Sequence, residues 1–76
     1  MDYYDKTVND IVLWHRIGAI VCHIAKKLGI PPIQALKDFY RSQTCLNLHN
    51  RKTGLYLYGD LYIADDYLIE IGAEEN

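Results

Sequence analysis

Five side chains in this sequence could act as nitrogen or sulfur ligands, or as a nucleophile with its base: His15, Cys22, His23, Cys45 and His49. A zinc centre needs every donor within about 2.0–2.3 Å of the ion. His15 and Cys22 lie seven residues apart, so one helix would place them on the same side but two turns, about 10 Å, from each other. His23 points elsewhere, and nothing in the spacing brings Cys45 or His49 over to complete a set. A nucleophilic thiol needs a base within hydrogen-bond reach and an electropositive setting. The neighbours Cys22 and His23 diverge by about 100° around a helix. Cys45 and His49 are four apart and can meet on one helical face, yet no oxyanion cradle accompanies them. The acid pairs Asp65–Asp66 and Glu74–Glu75 read as a helix start and a solvated tail, and Tyr67 with Glu70 forms no evident acid–base pair. Gly54, Gly59 and Gly72 stand alone, which excludes a phosphate-cradling loop. The sequence therefore predicts a protein that is not an enzyme, with no catalytic residue, metal or cofactor.

Two constellations concern binding instead. Lys26, Lys27, Lys37, Arg41, Arg51 and Lys52 make the middle of the chain basic. The run from Ile24 to Ile30, with Ala25 packed close and Gly29 at the turn, has the pattern of the first half of a helix-turn-helix. The helix after it would present Gln34, Lys37 and Arg41. Three features oppose that reading: Asp38 stands where an inward apolar residue is wanted, prolines open the would-be recognition helix, and the last third of the chain is acidic. Nucleic-acid binding is thus the alternative reading. The second constellation is aromatic. Of seven tyrosines, Tyr40, Tyr56, Tyr58, Tyr62 and Tyr67 fall in or near the segments that must cover the core. A tyrosine packs its ring while its hydroxyl reaches water or a partner. The ordinary reading is a wet-edged core; the functional one is a protein-binding face made by Tyr40, Tyr56, Tyr58 and Tyr62, since aromatic residues concentrate at interface centres.

The elements that would position these groups are mainly helical. Leu13, Ile17, Ile20, Val21, Ile24 and Leu28 recur at helical steps, which predicts a long first helix over 10–28 after a lead-in, with Thr7 or Asn9 as its cap. Trp14, Gly18 and Ala25 widen the apolar stripe. Lys26 and Lys27 suit the last turn, and Gly29 the left-handed position beyond it. Pro31 cannot be helical because Pro32 follows it, whereas Pro32 can open a second helix running to about Ser42. That helix would turn Ala35, Leu36, Phe39 and Tyr40 inward and Lys37 and Arg41 outward. A short third helix over 44–50 carries Cys45, Leu46 and Leu48. The stretch 55–63 is either a short hairpin around Gly59–Asp60 or irregular chain packed by its rings. A last helix over 64–71 would place Asp65 and Asp66 in its first turn, bury Tyr67, Leu68 and Ile71, and end at Gly72. The fold class is an all-α, three- or four-helix single domain, 1–76, with that hairpin as an option near the end.

Composition agrees. Half of the 76 residues are hydrophobic, which excludes disorder, and the length allows one small core of marginal stability. The net charge of -2 hides a basic middle followed by an acid-only stretch from Thr53 onward; the two halves would neutralise each other if the second folded over the first. Cys22 and Cys45 read as two reduced thiols. The acidic start and the polar breaks at Arg16 and His23 argue against a secretory signal or a membrane span, so a cytoplasmic protein is expected.

Leu28-Gly29-Ile30, then Ala35-Leu36, Phe39-Tyr40 with Ser42, Thr53-Gly54-Leu55-Tyr56, and finally Tyr62-Ile63, Asp65, Tyr67 and Glu70 together resemble a family of short bacterial proteins of uncharacterised function, over about Ile11 to Glu70. The Pro31–Pro32 pair departs from the small polar start usual for that helix. The resemblance implies a small helical cytoplasmic domain with no catalytic residues. It also implies a partner or antitoxin-like role, since such proteins are often encoded near ADP-ribosyltransferase-like toxin domains. Together with the tyrosines it predicts a protein-interaction module that binds another protein or itself as a homo-oligomer.

Overall fold

The computed structural model describes residues 2–74, with side chains from Ile11 onward. Four helices follow one another: α1, Asp2–Leu28; α2, Pro32–Tyr40; α3, Gln43–His49; and α4, Asp60–Glu70. Two 3-10 turns, Arg51–Thr53 and Leu55–Leu57, join α3 to α4. No strand occurs among the described residues. This is the all-α domain with a long first helix that the periodicity predicts.

The apolar stripe of α1 is the spine. Ile17, Ile20, Val21, Ile24 and Ala25 are buried, and Phe39, Leu48, Ile63 and Leu68 from the other helices close on them in one core. Each such side chain, fully buried, contributes about 1.5–3 kcal/mol. Gly29 ends α1 at φ 67°, and the Ile30 N–H donates back to the Ala25 carbonyl at 3.1 Å, the left-handed stop that glycine permits without strain. Pro31, extended at φ -62° and ψ 143°, sets Pro32 at the first helical position. The α2 helix then runs antiparallel along α1, which brings Tyr40 beside Trp14 with ring centroids 5.8 Å apart.

Several boundaries differ from expectation. The first helix begins at Asp2, so Thr7 and Asn9 lie inside it rather than at its cap. The Gly59–Asp60 step makes no hairpin: Gly59 is the extended residue before α4, which starts at Asp60, four residues earlier than predicted. Asp60 therefore occupies the first turn, and Asp65 and Asp66 stand mid-helix. Gly72, at φ 79°, does close α4, with Gly72 N–H to the Ile69 carbonyl and Ala73 N–H to the Leu68 carbonyl at 3.0 and 2.9 Å. Ile71, expected inward, is exposed.

Four long-range polar contacts help fix the layout. Arg16 pairs with Asp60 at 2.9 Å and also donates to the carbonyls of Tyr56 and Tyr58. Lys27 pairs with Glu74 at 3.2 Å, so α4 runs parallel to α1, and the acidic segment does fold along the basic one. Glu74's neighbour Glu75 lies outside the described residues.

Candidate functional site

One hollow opens between α1 and the end of α3. A cleft of about 320 Å³ is bounded by Val12, Leu13 and Arg16 of α1, Leu48 and His49 at the end of α3, and Arg51 and Tyr56 beyond it. A second hollow of about 110 Å³ continues it across Leu13 and His49 to Trp14, Ile17 and Tyr40. The floor is aliphatic, and its rim carries two guanidinium groups and an imidazole.

Local structure explains how those groups are held. The ring of His49 sits over the last turn of α3, its Nδ1 2.9 Å from the Cys45 carbonyl and 3.7 Å from the Cys45 sulfur. Asn50 caps the following 3-10 turn by accepting the Lys52 N–H at 3.0 Å. That turn lifts Arg51 over the Tyr56 ring, 5.5 Å from its centroid. A stacked guanidinium uses its face and keeps its edge N–H donors. Arg16 is different, because its donors already reach Asp60 and two carbonyls.

Cys45 and His49 do meet, as their spacing allows. The thiol is buried, however, and burial pushes it up from its ordinary range, opposite to the direction that favours a thiolate nucleophile. Cys22 is free and exposed. No group of three or more His, Cys, Asp or Glu among the described residues is arranged to hold a metal ion.

At the other end of α3 the polar groups are closed on themselves. The Ser42 hydroxyl accepts the Cys45 N–H at 3.0 Å and donates to the Phe39 carbonyl at 2.6 Å. One carboxylate, Glu70, accepts the N–H groups of Gln43 and Thr44 at 2.9 and 2.8 Å and the Thr44 hydroxyl at 2.7 Å. Burial alone would raise the Glu70 carboxyl. The bonds from the Gln43 N–H, the Thr44 hydroxyl and the Thr44 N–H outweigh it and hold the group below the usual glutamate range. Glu70 is thus a helix cap reaching from α4, a role its position in the sequence does not announce.

The four tyrosines singled out by sequence do not form one face. Tyr40 belongs with Trp14. Tyr56 is half-buried between the core and Arg51. Tyr58 and Tyr62 stack on each other, ring centroids 4.5 Å apart and planes inclined by 18°. Leu57 and Leu61 precede the two tyrosines in sequence, and the four side chains are 51–75% exposed. The six basic residues are likewise dispersed. Lys27 pairs with Glu74 and Arg51 covers Tyr56, while Lys26, Lys37, Arg41 and Lys52 make no ion pair among the described residues. The N-terminal turn of α2, which a recognition helix would point at bases, exposes Pro32, Ile33 and Gln34. Sequence reasoning missed Val12, Leu13, Arg16 and His49 as cleft residues. Arg16 had one legible signal, a lone charge inside an otherwise apolar helical run.

No helix of the described residues is long and apolar enough to cross a membrane. The chain matches no protein-family model, no curated protein and no solved structure.

Proposed function

We propose that this small helical domain is a protein-interaction module. One observation carries the reading: Leu57, Tyr58, Leu61 and Tyr62, close in sequence around the stacked pair Tyr58 and Tyr62, are each more than half exposed, at 75, 52, 61 and 51%, in a domain whose core is small. Soluble monomers rarely leave such a group uncovered, and stacked tyrosines supply large contact area at low entropic cost. The partner is a protein or a second copy of the chain, and the family resemblance adds an ADP-ribosyltransferase-like toxin encoded nearby as one candidate.

Photo-crosslinking tests the reading. A photoreactive residue at Leu61 should give discrete protein adducts in the source cell, and the same probe at Lys37 should not. Indiscriminate or absent adducts from Leu61 would end the proposal. The unpaired Lys26, Lys37, Arg41 and Lys52 favour the second reading, nucleic-acid binding. It requires affinity for duplex DNA that falls steeply with salt, and no binding at low salt removes it.

A further inference from the structure

We propose that the partner is a second copy of this chain, with the outer face of α4 from one copy seated in the cleft of the other. The inference rests on the interaction reading and names its occupant.

Charge and shape at two surfaces carry it. The cleft offers an aliphatic floor of Val12, Leu13 and Leu48 under one guanidinium group that has been aimed but not paired. The guanidinium edge of Arg51 has no hydrogen-bond partner among the described residues, while stacking on Tyr56 fixes its orientation. The opposite chemistry stands on α4. Tyr62, Asp65, Asp66 and Ile69 recur at steps of three and four, so they share one helical face, the one turned away from buried Ile63, Ala64, Tyr67 and Leu68. Asp60 is paired with Arg16, Glu70 caps α3, and Glu74 is paired with Lys27. Asp65 and Asp66 alone among the described acids of the last third have no partner.

A helical face that sets two unpaired carboxylates between Tyr62 and Ile69 therefore complements an apolar cleft bearing the unpaired guanidinium edge of Arg51. The two surfaces share no residue, so each copy can give one and receive the other. A closed two-fold pair is the smallest assembly that leaves neither open, since residue i of one copy then meets j of its partner and j meets i. A standard interface covers about 800 Å² per partner, roughly a seventh of the 5510 Å² the chain exposes, and using both surfaces at once doubles what either supplies.

Sedimentation velocity of the full chain from about 5 to about 500 µM tests this, a span that brackets dissociation constants typical of weak pairs. Concentration-dependent pairing is expected, weaker in high salt. Arg51→Glu and Asp65→Arg should each weaken it by about tenfold or more. An equimolar mixture of the two variants should restore it, because the mixed pair regains opposite charges at both contacts. Both positions are exposed, and circular dichroism verifies the fold; should reversal disturb folding, Arg51→Gln and Asp65→Asn must still weaken pairing. A chain that stays monomeric throughout, variants that pair like the parent, or a mixture that stays apart would each overturn the inference. A monomer whose Leu61 adducts contain another protein would end this inference alone and leave the interaction reading standing. No adduct at all would end both.

Discussion

The two ends of the seven-residue helix α3 handle their polar groups in opposite ways. At the start, every free N–H of the first turn is satisfied from inside: Gln43 and Thr44 by Glu70, and Cys45 by Ser42. At the finish, Arg51 is held in place by a contact that leaves its guanidinium edge directed outward. A helix start ordinarily attracts anions, but here the chain's own carboxylate fills that position. Free polar capacity survives only at the other end, over an apolar cleft. What separates a binding group from a structural one is thus not residue type but whether its hydrogen bonds are already made.

Substitutions can break or sharpen that contrast. The largest effect is expected at Arg16, which lines the cleft but has its donors engaged within the fold. Arg16→Met should cost about 2–3 kcal/mol in urea unfolding, because it strands Asp60 and two carbonyls, and hydrogen exchange should rise over 55–60. A neutral outcome would place Arg16 with the open groups. Next comes Glu70→Ala, at about 1–2 kcal/mol from the same measurement, since three donors lose their acceptor. Ser42→Ala should follow at about 1 kcal/mol. The smallest is Arg51→Ala, within about 0.5 kcal/mol, as expected for an exposed group that holds nothing but a ring.

Acid sharpens the same comparison. The carboxyl of Glu70 is depressed in the folded chain, whereas an unfolded glutamate titrates at about 4.3. Its contribution is fully present above that value and is lost as the pH falls through the lower, folded one. Urea midpoints should therefore drop in that acid window, and Glu70→Gln should flatten that part of the profile while Arg51→Ala leaves it unchanged.

The sequence made the locally coded parts of this molecule legible. The stripe from Leu13 to Leu28, the glycine stop at Gly29 and the proline opening of α2 follow from spacing and backbone chemistry over a few residues. Contacts between distant residues were not legible. Glu70 reaches Thr44 across 26 residues, and Arg16 reaches Tyr58 and Asp60 across more than 40; no periodicity encodes either. The start of α4 was misplaced because Leu-Tyr alternation around Gly59 mimics strand spacing, and the anchoring of Asp60 by Arg16 is visible only in three dimensions. For the candidate site, Arg51 and the aromatic residues were in view, but the cleft that gathers Val12, Leu13 and His49 exists only once α3 packs on α1.

The reach of Glu70 also sets a timetable for biosynthesis. A ribosome adding about 5–20 residues per second makes Thr44 and then needs about 1–5 s to make the acceptor 26 residues later. Until then the start of α3 has only Ser42 to steady it. The latch on the third helix therefore cannot close before the fourth helix has been made.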